Sequence, residues 1–467
     1  MPPSTLPLEL RSADGRMKLD TFLSLGIQRE YIDRRTRELW PAKMIDTIFQ
    51  PIIPKDTNGN PLCNPVTGKV EKLRASEWLD RYNRVDQQVW APGEPEIIAD
   101  RVARNSGWRR QEGARCFNRY DAPEIEPGDP NEALPWIDHV RKVYPDNIDH
   151  IVKWLAFKVQ NPGVKINHAL VLGGSQGVGE DTILEPLRKA VGFANFHDIS
   201  PTDMGGTFNR FVESVILRVS EARDLGENTR VNRFAFYDHS KVYAAAPPMV
   251  IKCNEKHTRV YYVFNVLGLV LTTNHRFDGL YLPTDDRRHY VAWSELTKDD
   301  FAGDYWTTLW RWFDAGGSGH VAAYLRGLDL SAFDPKAPPP RTQAFYDIVQ
   351  VSAAPENSEL ADAVDELQKE REKREETSKL LTLGLIADTA KGAAMEWLLD
   401  RKMRRAIPHR MAEIGYIPVR NPDANDGLWV INGVRQVIYA PVGMTPLEQR
   451  EEARKLVLAL TKPGGNS

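Results

Sequence analysis

The spacing of apolar and polar positions divides the chain into stretches of different character. Lys18–Leu39 and Ala75–Gln88 read as helical. Between them, Lys55–Lys69 (KDTNGNPLCNPVTGK) is rich in turn formers, with Asn58-Gly59-Asn60-Pro61 its strongest signal. Asp121–Pro135 is rich in proline and acid and predicts an extended connector. From Trp136 to about Leu330 the pattern changes. Helix candidates Trp136–Tyr144 and Ile148–Gln160 precede short apolar runs at Ala169–Leu172, Val215–Val219, Val250–Cys253, Val260–Val263 and Leu267–Thr273. Short apolar runs alternating with helices predict an α/β sheet.

Leu330–Arg341 contains three consecutive prolines and predicts a semi-rigid linker. Ser358–Glu376, with Glu370 and Arg374 one helical turn apart, predicts a solvated charged helix. Beyond it, helices are expected over Ala390–Met403 and His409–Ile414. A hairpin is expected in Leu428–Ala440 around Asn432-Gly433, and a last helix over Pro446–Leu460. Helix, helix, hairpin is a winged-helix-like order. Arg401, Lys402, Arg404, Arg405, His409 and Arg410 cluster near its second helix, either as DNA-phosphate contacts or as a solvated helix face.

Composition narrows the class. With 467 residues, about three domains are expected, and 42% apolar residues exclude wholesale disorder. No apolar run approaches the ~20 residues of a membrane span. The start, MPPSTLPLELRS, lacks a basic region followed by an apolar core, so no secretory leader is expected and the location is expected to be cytoplasmic. Cys63, Cys116 and Cys253 are few and far apart, which argues against a disulfide framework and fits a reducing compartment. A net charge of −3 excludes a globally basic coat protein, so any nucleic-acid contact must come from local patches.

The most informative segment is His168–Leu187 (HALVLGGSQGVGEDTILEPL). An apolar strand runs into a glycine-rich loop containing Gly174, Gly177, Val178 and Gly179, and an amphipathic helix comes next. That is the context of a phosphate-binding loop: its N–H groups point at phosphate oxygens and the helix N-terminus favours negative charge. The pattern GxxxxGK[ST] is broken at one position. Glu180 stands where lysine is expected, followed by Asp181 and Thr182. At ~4 Å and an effective dielectric near 20, a unit charge pair is worth roughly 4 kcal/mol, and here its sign is reversed. As written, the loop is expected to bind or turn over nucleotide poorly.

Other motifs come in a consistent order. Ser214–Asp224 (SVILRVSEARD) is an apolar strand, interrupted by Arg218, ending near Glu221, which could hold Mg²⁺ or polarise a water. Val266–His275 (VLGLVLTTNH) ends at Asn274, a candidate for orienting water and sensing the γ-phosphate. Arg287 and Arg288 come next, in the place of an arginine finger. Between the two strands, Pro247–Asn265 predicts a hairpin whose basic tip, with Lys252, Lys256, His257 and Arg259, suits a phosphate backbone.

These residues resemble the helicase half of phage and prophage primase–helicases, a branch of the superfamily 3 AAA+ helicases. The resemblance rests on Cys116–Pro130 (CFNRYDAPEIEPGDP), Trp154–Leu187, Ser220–Glu227 (SEARDLGE), Leu271–Val291 (LTTNHRFDGLYLPTDDRRHYV) and Phe333–Val349 (FDPKAPPPRTQAFYDIV), and spans roughly residues 75–447. It implies an α/β AAA+ P-loop ATPase core with a mixed, partly helical N-terminal region and a winged-helix-like C-terminal domain. The implied boundaries are 1–130 for a collar-like accessory region, 131–330 for the ATPase, 331–380 for linker and charged helix, and 381–467 for the DNA-binding domain.

The resemblance further implies ATP and Mg²⁺ as cofactors. Gly174, Gly177, Gly179, Asp181 and Thr182 would form the phosphate loop, with Thr182 and Glu221 near the metal. Asn274 would act as sensor, Arg287 or Arg288 would reach a neighbouring subunit, and Lys256 and His257 would grip DNA. Ser220 stands where many relatives carry a second acid, and Glu180 departs from the family lysine. Its intact surroundings favour an introduced substitution over natural degeneration. Single-stranded or forked DNA, a homo-hexameric ring and a separate primase–polymerase are the implied partners. Residues 1–75 are too short for that domain, so a stand-alone helicase or a fragment is expected. The rival expectation is a non-hydrolysing DNA-binding assembly or origin-loading protein with an ATPase-like fold.

Overall fold

The structure is a computed structural model. It describes residues 10–461 except 13–14, 27–29, 57, 59, 65, 105–106, 127, 221–232, 257–259, 276–279, 302, 352–354, 375, 377 and 390–406. The chain divides into two compact units, Met1–Val349 and Gln350–Ser467.

The centre of the first unit is a five-stranded parallel sheet. Its strands are β8 (Ala169–Gly173), β9 (Phe196–Ile199), β10 (Ile216–Val219), β13 (Gly268–Thr273) and β14 (His289–Trp293), in the order β14-β8-β13-β10-β9. Every residue of β8 and β13 is buried. Helices cover both faces of such a sheet, so its strands read as continuous apolar runs without alternation. Helix α4 (Ile148–Gln160) supplies Trp154, which is fully buried and donates from Nε1 to His168 O at 3.2 Å. From the same helix, the buried Lys158 Nζ donates to Val266 O (2.7 Å), Val164 O (3.0 Å) and Pro162 O (3.3 Å). Burial pushes its pKa down to about 7, against the carbonyls that favour the ammonium form.

The N-terminal expectation needs correction. Lys18–Leu39 is not a helix. It forms β1 (Phe22–Leu25), β2 (Glu30–Asp33) and β3 (Leu39–Pro41), antiparallel in the order β3-β2-β1, with β4 (Arg84–Val85) joining β1 in parallel. All four residues of β1 are buried, so both strand faces are covered and the apolar-polar alternation of a half-exposed strand vanishes. The Ala75–Gln88 helix stops at Tyr82, and β5 (Gln87–Val89) lies just beyond it. A long ribbon of β6 (Ile97–Arg104) and β7 (Gly107–Asn118) comes next, with β5 alongside β7. Between β10 and β13 the chain forms the expected hairpin, β11 (Val250–Cys253) and β12 (Tyr261–Phe264).

The Pro-rich segment belongs to the first unit. Phe333 packs on His150 and Phe157, and Pro335 O accepts from Asn167 N at 2.7 Å.

In the second unit the charged helix, Pro355–Lys373, is not wholly solvated. It buries Leu360, Ala363, Val364 and Leu367, a stripe one face wide. That stripe packs with Leu381, Ile386, Ile407, Met411 and Tyr439. Here β15 (Leu381–Thr382) and β16 (Tyr416–Val419) flank β19 (Ile438–Pro441), while β17 (Trp429–Ile431) and β18 (Val434–Gln436) form a hairpin. Asn432 and Gly433 both take positive φ (50° and 76°), the conformation that this two-residue turn requires. Helix Pro446–Leu460 closes the unit, and residues 390–406 lie outside the described residues, with the helix expected at Ala390–Met403. No helix among the described residues is long and apolar enough to cross a membrane.

Trp154→Ala should lower the stability of the first unit by about 3–5 kcal/mol, because a large cavity opens beneath the sheet. The check is the urea midpoint of that unit's transition in the intact chain. A shift worth less than about 1 kcal/mol would contradict the packing described.

Candidate functional site

The register of the sheet brings the ends of β8 and β13 to one level, with β10 ending two residues earlier. Gly173 of β8 lies beside Thr273 of β13, and Leu271 of β13 lies beside Val219 of β10. The residues just past each strand therefore meet: the glycine loop, Asn274 and Ser220. They line a cleft of about 540 Å³ with Gln176, Gly177, Gly179, Glu180, Asp181, Thr182, Arg218, Thr272, Thr273 and Trp306.

The loop passes into helix α5 (Glu180–Val191) through two glycines of positive φ, Gly177 at 88° and Gly179 at 91°. Gly179 is doubly constrained, since a Cβ there would lie 2.4 Å from Trp306 and 2.7 Å from His139. Helix α3 (Leu134–Val143) supplies that fully buried histidine. Its Nε2 is 3.0 Å from Gly179 O and its Nδ1 is 2.8 Å from Tyr305 Oη. Burial lowers the His139 pKa. A neutral ring facing a carbonyl must carry its proton on Nε2, so Nδ1 accepts from the tyrosine hydroxyl. The loop is thus pinned from below. Val178 turns its side chain into the core and does not line the cleft.

The charges in the cleft work against an anion. Glu180 and Asp181 begin α5, where their carboxylates already interact with the positive helix end. Burial raises the Glu180 pKa and the adjacent Asp181 adds to this, while the N–H groups of Glu180 and Gly179 and the Arg218 guanidinium lower it. Glu180 therefore presents its own carboxylate to the amides that a phosphate would use. Turned by half a rotation, the Asn274 amide donates to Gly174 O at 3.0 Å and to Glu180 Oε1 at 3.2 Å. Arg218 is the one cation among the described lining residues, and it is engaged: Nη1 lies 2.5 Å from Asp181 and Nε 2.5 Å from Asp198. In shape the cradle fits a phosphate group, and in charge it does not.

Other sequence-derived residues fall elsewhere. Glu221 lies outside the described residues, one position past Ser220. Arg287 and Arg288 precede β14, and Arg288 O accepts from Ala169 N at 2.7 Å. They stand at the start of the parallel strands, the opposite end from the loop. Asp286 fixes that turn by accepting from Tyr237 Oη (2.9 Å), Arg288 N (2.9 Å) and His289 N (3.0 Å). Burial works to raise its pKa, but His289 and these donors outweigh it and hold it at about 2. Lys252 and Lys256 are exposed on the β11–β12 hairpin, whereas His257 and Arg259 lie outside the described residues. So do Arg401, Lys402, Arg404 and Arg405, while Arg410 lies in helix Ile407–Glu413.

Sequence reasoning missed His139, Trp306 and the engagement of Arg218. The arginine had a visible signal, a charge interrupting an apolar strand. The aromatic and histidine partners had none, because they lie 40 or more positions from Gly179 and meet it only in the fold.

No protein-family model matches the chain, and no curated protein does. Among solved structures, an apo structure of the NrS-1 C-terminal region matches with a TM-score of 0.56 and 12% identity, covering 90% of this chain and 96% of that one. A further apo form of that region gives a TM-score of 0.49 at 14% identity, covering 80% and 88%. A structure of JCV helicase gives 0.28 at 11% identity, covering 48% and 59%. The first of these shows a shared fold.

The raised Glu180 pKa fixes a sign. The unfolded chain releases this proton first, so stability present below the ordinary value of 4.5 is lost as the pH rises through the folded value. Glu180→Gln stays neutral. Its melting temperature should match wild type near pH 4.5 and exceed it increasingly towards neutrality. A difference that does not change with pH would contradict this.

Proposed function

We propose that the chain is an ATP-driven DNA helicase of the superfamily 3 AAA+ type, working as a homo-hexameric ring in phage or prophage replication and impaired as written by Glu180. The observation that carries this reading is the convergence of the glycine loop, Asn274 and the Ser220 strand end in one cleft, with a basic hairpin inserted between β10 and β13. A metabolic phosphotransferase has no use for that hairpin.

Bound Mg²⁺–ATP would supply the free energy of phosphoryl transfer to water. With lysine restored at position 180, Thr182 and Glu221 would hold the metal, Glu221 would polarise the water and Asn274 would orient it. Arg287 and Arg288 stand too far round the sheet to serve their own loop, which suits supply to a neighbour's cleft. Lys252, Lys256, His257 and Arg259 would follow the DNA backbone. Residues 1–130 would form the collar-like region, 131–330 the motor, 331–380 the connection and 381–467 a winged-helix-like DNA-binding domain. The location would be the host cytoplasm, with a primase–polymerase supplied separately.

A second reading has one observation in its favour. Glu180 sits against the loop amides, so a non-hydrolysing DNA-binding assembly protein would account for the cleft as it stands.

The test is Glu180→Lys. Single-strand-stimulated ATPase activity should rise at least about tenfold over wild type, the change that ~1.4 kcal/mol makes in a rate. No gain, with DNA binding retained, would overturn the motor in favour of the assembly protein.

A further inference from the structure

The β6–β7 ribbon carries charge that the cleft and the hairpin tip leave unused. Residues 97–118 hold five arginines against one aspartate and one glutamate, in a chain whose net charge is −3. Three acceptors are spent locally. Asp100 accepts from Gly113 N (2.8 Å) at a bulge, Glu94 pairs with Arg101, and Asp86 accepts from Arg115 N (3.0 Å). Arg104, Arg109 and Arg110 are exposed, and no carboxylate pairs with them among the described residues. The register also sets Arg101 directly opposite Arg110. Like charges directly opposite across a strand pair destabilise it, and a bound polyanion would relieve that repulsion.

The faces of the two ribbons can be followed residue by residue. Opposed residues share a face, and so do alternate residues along a strand. On β6–β7, therefore, Arg101, Ala103, Trp108 and Arg110 lie together, and the Arg101 guanidinium sits 4.7 Å over the Trp108 ring. On β11–β12, Ile251 and Val263 are the buried pair, which leaves Lys252, Tyr262 and Phe264 on the opposite face. The two faces join, since Trp108 and Phe264 pack with ring centroids 5.0 Å apart. At the far side of that contact Tyr262 is 45% exposed beside Lys252. Basic groups interleaved with an exposed aromatic ring are the chemistry of a single-strand track: cations take phosphates, and an open ring takes a base.

We propose that these joined faces form one continuous track for single-stranded DNA, in which Arg110 and Lys252 hold phosphates and Tyr262 stacks a base. The proposal rests on the DNA-helicase reading and extends its contact from the hairpin tip to a second ribbon. Arg109 lies on the other face of β7 and contributes less.

The experiment is fluorescence anisotropy of a labelled oligo(dT) with the full chain across a salt series. Arg110→Ala should weaken binding about 5- to 10-fold and lower the magnitude of the log–log salt slope by about 0.7, one phosphate contact on a single strand. Arg110→Lys should restore both, and Arg109→Ala should change affinity less than about twofold. Tyr262→Ala should weaken binding about tenfold with the salt slope unchanged, as loss of stacking does. Two results overturn the proposal, and they are distinguishable. If Arg110→Ala binds like wild type while Lys252→Ala/Lys256→Ala loses binding, the ribbon is no contact but the helicase reading stands. If wild type binds neither oligo(dT) nor a duplex of equal length, both fall.

Discussion

The pairing of β13 with β8 on one side and β10 on the other is the constraint on which the rest depends. Buried strand amides and carbonyls must all be paired, so the central strand cannot slip without leaving polar groups unsatisfied in an apolar interior. Because Thr273 is held beside Gly173 and Leu271 beside Val219, β8 and β13 release their chains at one level and β10 two residues earlier. The residues just beyond those three release points form the cleft. Two lysines, the buried Lys158 and the partly buried Lys165, serve the same end. Lys158 ties Val266 and Val164, and Lys165 donates to Leu267 O at 2.7 Å, so the carbonyls leading into β13 have partners away from water.

At the cleft, geometry and charge disagree. His139, Tyr305 and Trp306 hold Gly179 in a conformation that leaves no room for a side chain, which is a specific arrangement to keep if the loop had no ligand. Yet two carboxylates face the place where an anion would sit, and the arginine that could offset them is bound to Asp181 and Asp198. An acid at position 180 reaches the amides of its own helix start more readily than any ligand from solution, because it is already tethered there. A single residue therefore sets the charge at the mouth of the loop.

The two ribbons show how a nearly neutral chain can present a strongly basic surface. Net charge sums over the whole molecule, whereas a phosphate backbone senses only charges within about a Debye length, ~8–10 Å. The aromatic contact between Trp108 and Phe264 places the β6–β7 arginines beside the hairpin lysine, although about 150 residues separate them in sequence.

The sequence by itself determined the local features. Ile148–Gln160 and Pro446–Leu460 are helices to the residue, and the glycine loop lies between a buried strand and a helix. The Asn432-Gly433 turn takes its required conformation. Each rests on a short-range rule of period, capping or positive φ. Lys18–Leu39 misleads because strands buried on both faces lose alternation, and which faces are buried is set by distant partners. The Ser358–Glu376 segment shows its charges but hides its apolar stripe for the same reason. Only the tertiary structure decided that Arg218 would answer to Asp181 and Asp198, that His139 would pin Gly179, that Arg287 and Arg288 would stand at the far end of the sheet, and that two basic ribbons would join. These are contacts between residues tens to hundreds of positions apart, fixed by strand order and register, to which local pattern is blind.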